Sequence, residues 1–167
     1  MFAVILGPCR YQYPKQVAAL FESFADSVIF YNFVHIIFTL MRYKNILLID
    51  DDDDDQEIFL TAVEEVSDSV TCVALSDANK ALQKLASKDL RPDVIFLDLN
   101  MPIMNGQQFL VEIKKHVALQ NIPVIIFSTT SHYPTIQLTK ELGATDFITK
   151  PARYDELVKI LTPYLLE

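Results

Sequence analysis

The chain has 167 residues, 51% of them apolar, enough to bury one ordinary core and too few for two well-built domains. With 22 acidic against 14 basic residues it carries a formal charge of -8 at pH 7, which argues against direct nucleic-acid binding, because that needs clustered Lys and Arg on the phosphates. Three glycines (Gly7, Gly106, Gly143) allow neither a GxGxxG nor a GxxxxGK[ST] loop, and Cys9 and Cys72 stand in no disulfide or zinc spacing, which fits the cytoplasm.

In chain order, residues 1–40 differ in kind from the rest. They hold Arg10, Lys15, Glu22 and Asp26, so all the net charge lies beyond them. Ser27 to Met41 reads SVIFYNFVHIIFTLM, uncharged but interrupted by Asn32 and His35. A membrane-spanning helix takes about 20 apolar residues, so this run is short. The basic residues lie far from it and no small-residue cleavage site follows, so a signal peptide fits poorly. Residues 1–40 are read as an apolar extension, disordered or outside the native product, with Met41 as the natural start and one domain over 41–167. A membrane anchor, or an apolar helix packed on the domain or a partner, are the alternatives.

From Met41 onward short apolar runs alternate with amphipathic stretches, the pattern of repeated βα units and a parallel sheet. Strands are predicted near 44–50, 70–75, 94–97, 123–127 and 145–149, and helices near 55–65, 78–85, 106–116, 134–142 and 153–164. Ala78, Ala81, Leu82 and Leu85 fall on one helical face. The runs ILLI, VIFL and VIIF are apolar throughout, as central strands covered on both faces require. Gly143 follows a helical pattern where a residue free to take positive φ ends it.

In such sheets ligands sit beyond the carboxyl ends of the strands. There the sequence places Asp50 and Asp51 after ILLI, Asp98 after VIFL, Ser128 and Thr129 after VIIF, and Lys150 after the fifth strand. Converging carboxylates call for a hard cation, and magnesium, which prefers oxygen ligands, is the natural choice. With the cation in place, one carboxylate is a nucleophile toward phosphorus, and a lysine and a hydroxyl can share the equatorial charge. Asp50 to Asp55 form an unbroken run. The members beyond Asp51 either offer additional ligands or open the first helix with charges that suit its positive end. His35, His116 and His132 have no partner spacing for metal or acid-base work, and Met101 to Met104 read as a loop packed beneath the acceptor.

Over residues 43 to 167 the stretches NILLIDDD, PDVIFLDLNMPIMNG, IPVIIFST and GATDFITKP resemble the receiver domains of two-component response regulators, most nearly single-domain regulators of the chemotaxis type. The resemblance implies a doubly wound, five-stranded parallel sheet of flavodoxin-like order 2-1-3-4-5, with helices on both faces. It implies Asp98 as the phosphorylated residue, Asp50 and Asp51 as the acidic pair positioning Mg2+, and Asn100 as the donor of a backbone carbonyl to the metal. It further implies Ser128 as the switch hydroxyl, Lys150 as its basic partner, Phe147 as the switch aromatic, and a cis bond between Lys150 and Pro151. Asn100 and Thr130 stand where the family tunes hydrolysis.

The function so implied is phosphorelay signalling rather than enzymatic output. A sensor histidine kinase or histidine phosphotransfer protein supplies the phosphoryl group, and a downstream protein reads the face around helix 134–142. With the sequence ending at Glu167, output is expected through protein contacts. Two rivals remain. A magnesium-dependent phosphatase of the haloacid dehalogenase type would need a second acid where Asn100 stands. A degenerate receiver used only for binding would not need Asp51, Asp98, Ser128 and Lys150 together.

Overall fold

A computed structural model describes residues 43–165; the expectations for residues 1–40 lie outside the described residues. Five strands, β1 (Asn45–Ile49), β2 (Thr71–Leu75), β3 (Val94–Leu97), β4 (Val124–Ser128) and β5 (Asp146–Thr149), alternate with five helices. The helices are α1 (Asp53–Val66), α2 (Ala78–Ala86), α3 (Gly106–Lys115), α4 (Tyr133–Glu141) and α5 (Tyr154–Leu165). Every strand pairing is parallel and the order is β2-β1-β3-β4-β5, the flavodoxin-like order that the resemblance implies.

The apolar runs occupy the centre because both of their faces are covered. Leu47 and Ile49 of β1 pack with Ala81 and Leu85 of α2 and Phe109 and Ile113 of α3. Ile46 and Leu48, one residue out of phase, pack on the other side with Phe59 and Val63 of α1 and Leu157 and Leu161 of α5. On that side Phe59, Phe96 and Phe127 meet tilted or edge to face, with ring centroids 5.0, 5.3 and 6.4 Å apart. Each such pair adds about 0.5–1.5 kcal/mol beyond burial, so this cluster stiffens the floor beneath the ends of β3 and β4. The α4 helix is the thinly held one, burying only Thr139 and lacking a side-chain cap.

Strand ends differ from the predicted ones by a residue or so, but α1 begins at Asp53, two residues earlier than the apolar pattern indicates. The cause is Asp52, whose carboxylate accepts from the amides of Asp54 and Asp55 at 3.0 and 3.1 Å and starts the helix inside the aspartate run. Asp53 and Asp54 then occupy its exposed first turn, where the helix end favours negative charge.

The cis Lys150–Pro151 bond implied by the resemblance is corrected: no peptide bond among the described residues is cis. The isomers of an X-Pro bond differ by only about 0.5–1 kcal/mol, so the dipeptide alone does not select one. The trans chain still closes β5 on β4, with the Lys150 amide donating to the Ser128 carbonyl at 2.8 Å.

Candidate functional site

The carboxyl ends of β1, β3, β4 and β5 converge on one point because the sheet registers align them. Asp50 and Asp98 each follow the last residue of a paired strand, and the Asp98 amide donates to the Ile49 carbonyl at 2.9 Å. Asp50, Asp51 and Asp98 offer carboxylate oxygens that all lie within 4.8 Å of one another. Asp50 and Asp98 are buried, at 1% and 4% exposure, while Asp51 faces solvent. Three clustered oxygen donors of one charge are a set for a hard divalent cation and a poor one for a soft metal.

Lys150 reaches into the cluster from the end of β5. Its Nζ donates to Asp50 Oδ2 at 2.7 Å and to Asp55 Oδ2 at 2.6 Å, and stands 3.6 Å from Asp98 Oδ1. The same ammonium lies 5.6 Å from the centroid of the Phe127 ring. Asp98 Oδ2 accepts from the Asn100 amide at 2.6 Å, which turns the carboxylate toward the cluster. Asp50 is held on two sides: its Oδ1 accepts from the Asp52 amide at 3.2 Å, and its carbonyl accepts from Gln56 Nε2 at 2.6 Å.

Ser128 is fully buried at the end of β4, and its Oγ has no hydrogen-bond partner among the described residues. An unsatisfied buried hydroxyl costs about 1–3 kcal/mol, a cost that a polar group arriving at this strand end would relieve. Phe147, on β5, is half-buried against the core on the α2–α3 side. The structure thus brings Asp50, Asp51, Asp98 and Lys150 together, sets Ser128 on the adjacent strand end, and packs Phe147 against the α2–α3 side of the core.

Burial pushes the Asp50 carboxyl above its ordinary range, although Lys150 and the Asp52 amide pull the other way. Burial pulls the Lys150 ammonium down, but its hydrogen bonds to Asp50 and Asp55 outweigh that and leave it raised. An acid with a raised folded-state pKa binds its proton more tightly folded than unfolded. Its contribution to stability therefore declines as pH rises from the ordinary carboxylate range through the raised value. Lys150 contributes stability that is complete below the ordinary lysine range and is lost as pH rises through its raised value. In metal-free buffer, stability from denaturant unfolding is expected to fall for the wild type relative to Asp50→Asn as pH rises above the ordinary carboxylate range. Equal slopes would contradict this account of Asp50.

The residue that strand-end reasoning leaves open is Asp55. It precedes the buried Phe59 and Ala62 of α1 by four and seven positions, so the core-facing stripe of that helix, extended one turn, lands on it. Gln56 is also unforeseen, and no feature of the sequence marks it.

Residues 46–162 match the family model for the response regulator receiver domain. The chain is similar to a protein-glutamate methylesterase/protein-glutamine glutaminase of Bacillus licheniformis, with 40% identity over 97 residues, 56% of this chain and 25% of that protein. The match thus spans about a quarter of that relative's length. Among solved structures, the phosphorylated cyanobacterial phytochrome response regulator RcpA is similar at a TM-score of 0.66 and 30% identity, covering 72% of this chain and 89% of that one. The Mn(2+)-bound form of response regulator Rcp1 gives a TM-score of 0.65 and 27% identity, covering 71% and 89%. Strand order, the acidic cluster at the strand ends and the family match over most of the described residues agree: the chain belongs to the response regulator receiver domain family.

Proposed function

We propose that this receiver domain accepts a phosphoryl group on Asp98 from the phosphohistidine of a sensor histidine kinase or histidine phosphotransfer protein, and signals through protein contacts in the cytoplasm. The observation that carries the reading is the convergence of Asp50, Asp51 and Asp98 within 4.8 Å beside the Lys150 ammonium. A carboxylate oxygen of Asp98 attacks phosphorus; the new P–O bond forms as the P–N bond breaks, and the pair of electrons leaves with the imidazole. Asp98 is directed for this by the Asn100 amide on its other oxygen.

Asp50, Asp51, Asp98 and the Asn100 backbone carbonyl are the residues that would hold Mg2+, which when bound supplies charge neutralisation on the phosphoryl oxygens. Lys150 and Ser128 donate to those oxygens, which would satisfy the otherwise partnerless Ser128 Oγ. Drawing Ser128 toward the phosphoryl group pulls on the end of β4, and Phe147 on the paired strand follows. The thinly packed α4 is the element such a pull would bias, and with β5 it forms the face that a downstream partner reads.

Intact mass after incubation with acetyl phosphate and Mg2+ tests the reading. The wild type should gain one phosphoryl group, with no gain when the metal is chelated or in Asp98→Asn. Uptake by Asp98→Asn equal to the wild type would sink it.

A further inference from the structure

Lys150 is held in an arrangement that the acceptor chemistry alone does not need. Its ammonium has three N–H donors. Two are directed to Asp50 and Asp55 at 2.7 and 2.6 Å, whereas Asp98 Oδ1 at 3.6 Å lies beyond a good hydrogen bond. Asp55 is not a member of the carboxylate cluster that suits a cation. A metal that draws on Asp50 would therefore leave Asp55 as the one anchor of Lys150 that neither metal nor acceptor claims.

Asp55 is also the most exposed member of this group. Its side chain is 38% exposed, against 2% for Asp50, 6% for Asp98 and 10% for Lys150. It lies in the first turn of α1, where the helix end favours a carboxylate, and Asp52 fixes that turn through the Asp55 amide.

We propose that Asp55 is a positioning residue that holds the Lys150 ammonium off Asp98 in the resting state and competes for it with a phosphoryl group on Asp98. The inference rests on the phosphoacceptor reading above. Asp55 sets how readily the site converts to its phosphorylated arrangement: the tighter its hold on Lys150, the weaker the grip on the phosphoryl oxygens. Asp54 provides the control, since it is exposed, carries the same charge and is one residue away in the same helical turn.

The probe is beryllofluoride, a phosphoryl analogue, titrated at saturating Mg2+ into wild type, Asp55→Asn, Asp55→Glu and Asp54→Asn. Asp55→Asn should bind about three- to fivefold more tightly, as removing one partly exposed ion pair predicts. Asp54→Asn should stay within about twofold, and Asp55→Glu should return toward the wild type. In Mg2+-free protein, the 15N resonance of the Lys150 ammonium should shift in Asp55→Asn and not in Asp54→Asn. Unchanged or weaker binding by Asp55→Asn, or an equal gain in both Asn variants, would overturn the proposal while leaving Asp98 as acceptor. A wild type that binds no beryllofluoride would overturn the phosphoacceptor reading itself, and this inference with it.

Discussion

Gly106→Ala is expected to lower the melting temperature by roughly 10 °C and, in the fraction that folds, to slow phosphoryl uptake by about tenfold or more. A Cβ at Gly106 would stand 2.1 Å from the Asp98 carbonyl oxygen and 2.8 Å from the Leu99 Cα. Both obstacles are backbone, so no side chain can swing aside. The loop after β3 folds back so that the Gly106 amide donates to the Leu99 carbonyl at 3.1 Å, and Asn105 and Gln108 close a capping box around the start of α3. Relief requires that loop and the segment carrying Asp98 to part, which moves the proposed acceptor as well as the helix. Gly143→Ala is the contrast. There φ is +99°, and a Cβ would stand 3.4 Å from the flexible Lys114 side chain. It should cost about 1–2 kcal/mol from backbone strain and leave uptake near the wild-type rate. Thermal unfolding together with acetyl phosphate kinetics separates the two; a Gly106→Ala variant no less stable than Gly143→Ala would contradict the packing described.

Lys150→Met is expected to act in opposite directions on stability and on metal affinity. Without the ammonium, Asp50 and Asp98 are buried carboxylates facing each other and Asp55 with no cation between them. Removing one partner of such a buried set costs about 3–5 kcal/mol, so urea unfolding in chelator should show a loss of that order at neutral pH. Mg2+ would then meet the same oxygens with no competing ammonium and should bind about tenfold more tightly. Saturating Mg2+ should therefore close much of the stability gap between variant and wild type, through mass action on the folded state. Phosphoryl uptake should nevertheless fall by at least about tenfold, since the donor proposed for the phosphoryl oxygens is gone. A stability gap unchanged by Mg2+, or weaker Mg2+ binding in the variant, would contradict the placement of Lys150 inside the carboxylate cluster.

The central strands were legible because ILLI, VIFL and VIIF are apolar at every position and each stops at a polar residue, which marks both burial and the strand end. Asp50, Asp98, Ser128 and Lys150 could be placed for the same reason: in a parallel sheet every carboxyl end points to one edge. What the letters could not assign was the division of labour within the aspartate run. Six identical residues do not say which one caps the helix and which faces the site. Only the phase of α1, set by Phe59, Ala62 and Val63, separates Asp52 as the cap from Asp55 as the partner of Lys150. Nor could composition or spacing reveal that Ser128 Oγ is partnerless, because that depends on what the neighbouring strand ends do not offer. The Lys150–Pro151 bond eluded the resemblance because the energy separating its isomers is smaller than what surrounding packing can decide.

The identity of the acceptor can be read chemically. Borohydride reduces an acyl phosphate to the alcohol, so treating the protein with borohydride after acetyl phosphate and Mg2+, then mapping its peptides by mass, converts the phosphorylated aspartate to homoserine at its own position. The structure predicts homoserine at residue 98 and nowhere else in the strand-end cluster; homoserine at Asp50 or Asp51, or an unmodified residue 98 in protein that has gained a phosphoryl group, would contradict it.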